Sequence, residues 1–440
     1  VLNFEKDTLK IGKEGGVFKI KIMSNVPYKE YTDSAVQHDI FDALFNDIKY
    51  LQKMTIGNEL TLSIVPSAGV LMKDDVFTII SFDNQTKASI VIQQEGDGSK
   101  INQDAKLGPY LGSILAAASK SMDLNYVAEA VYTHEANLSR WNEFYQNAVY
   151  PGSARIQEIF GRPYKAISSI NYLLAYDRVN FPPSFKASLT TLRSILYYQM
   201  TILWGNVFYV TSPIEISTGK MPKQIPVTEM YRQLEISFRE GKDLLQSQRS
   251  VEFMPNAADI PKQMLARVLI NQKKYAEALS LLEGIINSDR YSLANSRDES
   301  LKSNNRELLY SLLIQEGSEY KRIHPNADII PVLKFSETLM LAIECAFHLG
   351  QNAKVIQYLN QIEAGRLRNP KYTNGSSINI QSILQTWKTE LPGDFSYFDF
   401  LKRNALAQSQ LNLSAPYKLL LPIPLQELQL NPNAIQNPGY

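Results

Sequence analysis

The sequence predicts a mixed, mainly α-helical protein. A small N-terminal β-sandwich of immunoglobulin-like form precedes a longer helical domain containing tetratricopeptide-type helix pairs. Three observations predict this. Apolar residues alternate with period two up to about residue 96, and they recur with helical period beyond about residue 105. One helix-turn-helix segment also echoes another at an offset of 77 residues. A chain of 440 residues agrees with more than one domain, because single cores rarely grow past roughly 250–300 residues.

The period-two region comes first. Phe18, Ile20 and Ile22 face one way and Lys19 and Lys21 the other; Leu60, Leu62 and Ile64 alternate with Glu59, Thr61 and Ser63; Ala88, Ile90 and Ile92 repeat the pattern. Alternation of this kind reads as half-buried antiparallel strands. Gly15-Gly16, Gly57-Asn58, Pro66-Ser67-Ala68-Gly69 and Asp83-Asn84 supply turns between them. The stretch from Asp39 to Leu51 departs from the pattern, with Phe41, Leu44, Phe45 and Ile48 at helical spacing, and reads as a helical insertion or an irregular loop. Residues 97–104 are polar and carry Gly and Ser, so they are taken as a linker between domains at 1–96 and 105–440.

Beyond the linker, Ile167, Ile170 and Leu174 share a helical face, as do Leu189, Leu192 and Leu196, and Met230, Leu234 and Phe238. Leu339, Ile343, Ala346 and Leu349 form another stripe, with Gly350 at the C-cap position. The echo pairs 261–286 with 338–362, matching Ala276 to Ala353, Leu279 to Ile356, Leu282 to Leu359 and Ile285 to Ile362. Such hairpins bury their apolar faces by stacking on neighbours. The segments 139–163 and 290–334 are long and rich in Tyr, Asn and Pro, and loops of that length are uncommon unless they have a function.

Composition excludes several classes. Lys and Arg number 45 against 44 Asp and Glu, a net charge of +1, so no basic field favours nucleic acid. The single cysteine, Cys345, excludes an intrachain disulfide framework and a multi-Cys zinc site, and leaves other metal binding open. No apolar run approaches the roughly 20 residues that span a bilayer. The chain starts at Val1 without a basic or apolar leader, so it is read as a mature or trimmed form. Any export signal or lipid-bearing cysteine would lie before Val1. There is no G-x-S-x-G, H-E-x-x-H, Walker A or strand-linked G-x-G-x-x-G pattern, and the four histidines are scattered. Neither catalysis nor a cofactor is expected.

Two resemblances add to this reading. Leu9-Lys10-Ile11-Gly12, then Glu14-Gly15-Gly16, Ser24-Asn25 and the 90–96 run resemble a BACON-type domain, a module of secreted carbohydrate-active and carbohydrate-binding proteins. Tyr28 and Tyr31 stand where that family usually has Trp, so the implied role here is a rigid spacer. The C-terminal run Leu420-Leu421-Pro422-Ile423-Pro424, Glu427, Leu430-Asn431-Pro432-Asn433 and Gln436-Asn437-Pro438-Gly439-Tyr440 closely resembles the ending of the SusD/RagB family. Tyr164-Lys165-Ala166-Ile167, Ile170-Asn171-Tyr172-Leu173-Leu174, Leu203-Trp204-Gly205-Asn206-Val207, the helices around 263–279 and 337–359, Trp387 to Glu390, and Phe398-Asp399-Phe400-Leu401-Lys402-Arg403 follow that family's order over 105–440. The run Leu391-Pro392-Gly393-Asp394-Phe395 departs from it.

The resemblance implies an outer-membrane, cell-surface lipoprotein that captures oligosaccharide without catalysis. It implies delivery to a SusC-like TonB-dependent transporter, with membrane association only through a lipid anchor outside this chain. A peptide binder of the same family, or a tetratricopeptide scaffold for another protein, are the alternatives. The Pro- and Asn-rich ending reads as a strap over the helices, and Phe398 and Phe400 as core.

A sugar site needs flat aromatic platforms and planar polar groups projecting from loops. The stretch from Trp141 to Tyr150, with Arg155 just beyond, has that mixture, and Trp141, Tyr145, Asn147, Tyr150 and Arg155 are the first candidates. Trp141 and Tyr145, at i and i+4, would share one helical face; the alternative is that this face packs on the core. Tyr291, Tyr310 and Tyr320 form a second group, of which Tyr291 and Tyr320 are nominated.

Overall fold

The computed structural model describes residues 2–12, 16–24, 28–30, 50–55, 59–64, 73–81, 85–94, 103–175, 181–213, 221–248, 250–251, 253–373 and 378–440. The chain divides into two compact units, 1–113 and 114–440. Most of the expected linker lies outside the described residues, and Gln103 already begins a helix. The aberrant stretch at 39–49 also lies outside them, whereas Tyr50 and Leu51 open a strand.

Among its described residues the first unit holds eight strands: β1 (Leu2–Phe4), β2 (Thr8–Ile11), β3 (Gly16–Ser24), β4 (Tyr28–Glu30), β5 (Tyr50–Thr55), β6 (Glu59–Ile64), β7 (Lys73–Ser81) and β8 (Lys87–Gln94). They form two four-stranded sheets, β1-β3-β6-β5 and β2-β8-β7-β4. Every ladder is antiparallel except β2–β8. Leu2, Phe4, Ile20 and Ile22 of one sheet join Leu9, Ile11, Ile79, Ala88 and Ile90 of the other in a single core. This is the sandwich that the alternation predicts, since each inward residue buries on the order of 1.5–3 kcal/mol of apolar side chain.

The longest helix, α1 (Gln103–Tyr132), is buried at every residue from Ser121 to Tyr132. After it come α2 (Ala154–Ala175), α3 (Pro183–Trp204), α4 (Val227–Leu245), α5 (Ile260–Asn271), α6 (Tyr275–Ile286), α7 (Phe335–His348), α8 (Asn352–Gly365), α9 (Ile380–Glu390) and α10 (Tyr397–Arg403). From α2 to α8 each helix packs on the next, the serial stacking expected of paired-helix repeats. Between α6 and α7 the chain leaves the stack to form the hairpin β9 (Leu308–Leu313) and β10 (Ile329–Lys334).

The 77-residue echo is the pair α5–α6 against α7–α8. Leu279 and Ile356, Leu282 and Leu359, and Ile285 and Ile362 are buried at equivalent places, whereas Ala276 and Ala353 are exposed in both. The two hairpins are joined at their first helices by Glu337, which pairs with Arg267 and accepts from Gln263 Nε2 at 2.8 Å. Thr338 Oγ1 donates to the same glutamine at 2.7 Å.

The C-terminal segment is a strap. Leu421 N donates to Leu203 O at 2.8 Å, Trp204 Nε1 to Pro422 O at 3.1 Å, and Asn437 Nδ2 to both Trp204 O and Leu421 O. Gly205, at φ +74°, ends α3 where a Cβ would lie 3.0 Å from Leu420 Cδ1, so the turn under the strap needs glycine. Phe398 and Phe400 are buried, as expected. Cys345 is buried, whereas His348 at the end of its helix is exposed, stacked on Tyr275 and bonded to Asn404 Oδ1 at 2.9 Å.

Candidate ligand-binding surface

The loop between α1 and α2 folds back as a 3₁₀ turn, Ser139–Trp141, followed by one helical turn, Asn142–Tyr145. Trp141 is fully buried here, which corrects its nomination as a platform. Its partner on the inward face is Phe144, with centroids 5.2 Å apart, and not Tyr145. The break between the two short helices sets an i, i+3 face in place of the expected i, i+4. Tyr145 is half-buried with its ring edge on His134 at 5.0 Å. Asn147 is buried at φ +48°, and its side-chain amide donates to Tyr132 O and Phe144 O, so it fixes the loop and cannot serve as a sugar donor.

The second group fares likewise. Tyr320 is fully buried against Tyr126, and Tyr291 is buried, stacked on Phe335 with its hydroxyl donating to Asp259 Oδ2 at 2.8 Å. Tyr310 is buried as well. Burial pushes the hydroxyl pKa of each upward, consistent with neutral packing residues.

Three of the seven candidates reach solvent. Tyr150 is 56% exposed, with its ring against Gly152. Tyr145 and Arg155 are partly exposed. Sequence reasoning missed Tyr172, which is 50% exposed on α2 and, with Tyr150, makes up the exposed aromatic side chains among the described residues.

The structure also joins segments far apart in sequence. Asp123 of α1 accepts from the backbone of Glu319 at 2.9 Å and of Tyr320 at 3.0 Å, and from the Ser318 hydroxyl, anchoring the 318–323 turn. That turn presents Glu319 to the first loop, where it accepts from Arg140 Nε at 2.8 Å and from Trp141 Nε1 at 3.3 Å. The guanidinium of Arg155 lies 4.4 Å over the Trp141 ring. Trp141, Arg155 and the Tyr320 turn therefore meet, with the arginines outward and the aromatics inward. Arg140 and Arg322 were not legible as site residues, because their meeting spans about 180 residues of chain.

A groove of about 410 Å³ lies in the insert between α6 and α7, lined among others by Ser292, Asn295, Glu299, Lys302, Asn305 and Arg306. Leu293 wedges its side chain against Gly365 at the end of α8. Beneath it, Arg366 bridges Glu307 and Glu390, both at 2.8 Å or less, and donates to Ala294 O at 2.7 Å. Burial pushes the Glu307 carboxyl up, but the Arg366 hydrogen bond, the charges of Lys334 and Arg366 and the Ser336 hydroxyl together outweigh it and hold the pKa below the usual range. The groove wall is thus largely apolar with several polar side chains around it, set on an ion-paired floor, and a few placed polar groups in an apolar lining are a common form of ligand site.

The segment that departs from the family pattern is buried. Gly393, at φ +73°, donates its N–H to Glu135 Oε2 at 3.3 Å, and Asp394 pairs with Lys334 at 2.5 Å. Among the described residues no group of three or more His, Cys, Asp or Glu is placed to hold a metal ion, and no helix is long and apolar enough to cross a membrane.

Stacked helix pairs, a hairpin-bearing insert and a C-terminal strap define the class: the chain has the SusD-type fold. A SusD superfamily protein from Bacteroides vulgatus superposes with a TM-score of 0.62 at 12% identity, covering 75% of this chain and 98% of that one. A laminarin-binding SusD-like protein gives 0.60 at 16% identity, with 75% and 99% covered. Surface glycan-binding protein A from Bacteroides thetaiotaomicron, in complex with laminarihexaose, gives 0.57 at 14%, with 74% and 99% covered. No protein-family profile matches the chain, and no curated protein sequence does.

Proposed function

We propose that the chain is a non-catalytic, cell-surface glycan-binding protein. In this reading it captures oligosaccharide on the loops of its helical unit and passes it to a SusC-like TonB-dependent transporter of the outer membrane. A lipid anchor preceding the chain would tether it, with the N-terminal sandwich, BACON-like in its motifs, as a spacer. The observation that carries the reading is the shared fold: it extends over 98–100% of solved chains, among them ones named as glycan- or laminarin-binding. The exposed Tyr150 offers a ring face, and separately the polar side chains around the groove offer planar hydrogen-bonding groups, the two kinds of contact that sugars take.

Calorimetric titration of the full chain with a panel of oligosaccharides and peptides tests it. The expected result is saccharide binding that weakens about 10-fold in Tyr150→Ala, the loss typical of one removed stacking contact of about 1–1.5 kcal/mol. Binding of peptides alone would contradict the glycan reading.

A further inference from the structure

Four arginines on the candidate surface share two carboxylates. Glu158 is bound by Arg155 at 3.1 Å and by Arg162 at 3.3 Å. Glu319, only 7% exposed, is bound by Arg140 and approached by Arg322 at 3.6 Å. Of the other carboxylates along these segments, Glu143 accepts from the Ser153 hydroxyl, Asp123 accepts from the 318–320 turn, and Glu316 is exposed three residues before Glu319. The two shared pairs form one patch, since Arg155 lies over Trp141 and Trp141 donates to Glu319. Burial first, and after it the charges of Arg322 and Arg155, pull the Arg140 pKa down against the opposing charge of Glu158, so these guanidiniums lie close enough to repel one another.

The patch is open to solvent where it is most cationic. The Arg322 side chain is 53% exposed and, among the described residues, makes no hydrogen bond; Arg140 is 42% exposed, and Lys321 beside them is exposed too. Each guanidinium carries five donors in a planar fork, and one shared carboxylate cannot occupy two forks fully. What the patch has in excess is unfilled guanidinium donors rather than net charge, since Asp123, Glu143, Glu158, Glu316 and Glu319 match its basic side chains in number.

We infer that this arginine patch recognises the acidic group of a saccharide, a uronate carboxylate or a sulfate ester, so that the bound glycan is an acidic one. The inference rests on the glycan-binding reading and narrows it to a substrate class. A planar or tetrahedral anion would complete the coordination of Arg322 and Arg155 while relieving their repulsion of Arg140, and bidentate pairing would orient the sugar ring.

The test is titration of the full chain at about 50 mM salt with polygalacturonate and dextran sulfate, each beside its neutral counterpart, fully methyl-esterified pectin and dextran. The expected result is binding to one charged polymer about 10-fold tighter than to its neutral partner, and which of the two is preferred tells carboxylate from sulfate. Arg322→Gln and Arg155→Gln should each weaken that binding about 3- to 10-fold. The folded state of each variant is confirmed by an unchanged circular dichroism spectrum. Equal binding to charged and neutral polymers, or charged-polymer binding that neither substitution moves, would overturn the inference. Binding to the neutral polymers alone would overturn it while leaving the glycan reading intact; binding to none of the four would overturn it and count against that reading as well.

Discussion

At the residue scale, burial decides what each polar or aromatic side chain can do. Glu129 is the clearest case: it is buried in α1, Oε1 accepts from Phe398 N at 2.6 Å, and Oε2 has no hydrogen-bond partner among the described residues. Burial, with Asp394 and Asp399 nearby, pushes its pKa up to about 8, against opposing effects from the Phe398 amide and Arg267. Glu135 beside it is raised for the same reason. A carboxyl with a raised pKa binds its proton more tightly in the folded state. Its contribution to stability is therefore full below the ordinary glutamate range and is lost as pH rises towards 8. Thermal melts should accordingly show stability falling between about pH 5 and pH 8, and Glu129→Gln, which keeps a neutral group of the same shape, should flatten that fall. A Glu129→Gln protein with an unchanged slope would contradict this account. The aromatic candidates teach the same lesson. Composition and loop position pointed to Trp141 and Tyr320 as readily as to Tyr150, but only three-dimensional packing separates them, and that packing runs through Asp123 and Glu319, far away in the chain.

At the element scale, the repeat was legible because its signal is local. The apolar register of α5–α6 and α7–α8, and the polar turn within each hairpin, can be read from short windows. The turns match in detail. Lys273 at φ +60° and Gly350 at φ +69° occupy the same position, and each is followed by a residue donating back into the preceding helix, Lys274 N to Leu269 O and Gln351 N to Ala346 O, both at 2.8 Å. Lysine in the left-handed region is strained where glycine is not, so Lys273→Gly should stabilise the protein by about 0.5–1 kcal/mol in urea unfolding; a loss of stability would refute the equivalence of the two turns. The insert at 287–334 was legible only as a long loop. Its hairpin and its ion-paired floor depend on Arg366, Glu307 and Glu390, which no periodicity brings together. Arg366→Met would take the buried cation from Glu307 and leave Glu390 only the partly exposed Arg368, and should cost about 3–5 kcal/mol in the same assay, whereas an effect under about 1 kcal/mol, the range of a surface ion pair, would show that the floor is not what holds the groove.

At the scale of the whole molecule, the division of labour is between a frame and its decorations. The β-sandwich and the helix stack were predicted from period alone, and the strap from its Pro and Asn residues, because backbone hydrogen bonding and apolar burial leave repeating marks in sequence. The proposed binding surface leaves none: it is assembled from the ends of α1 and α2 and from the α6–α7 insert, so that Arg140, Arg155, Trp141 and Glu319 become neighbours only on folding. The most direct measurement is equilibrium titration of the full chain with neutral and acidic oligosaccharides, followed by sizing of the saccharide recovered. The account predicts that at least one saccharide binds and is recovered at its original length. Shortened saccharide, or no binding across the neutral and acidic series, would contradict it.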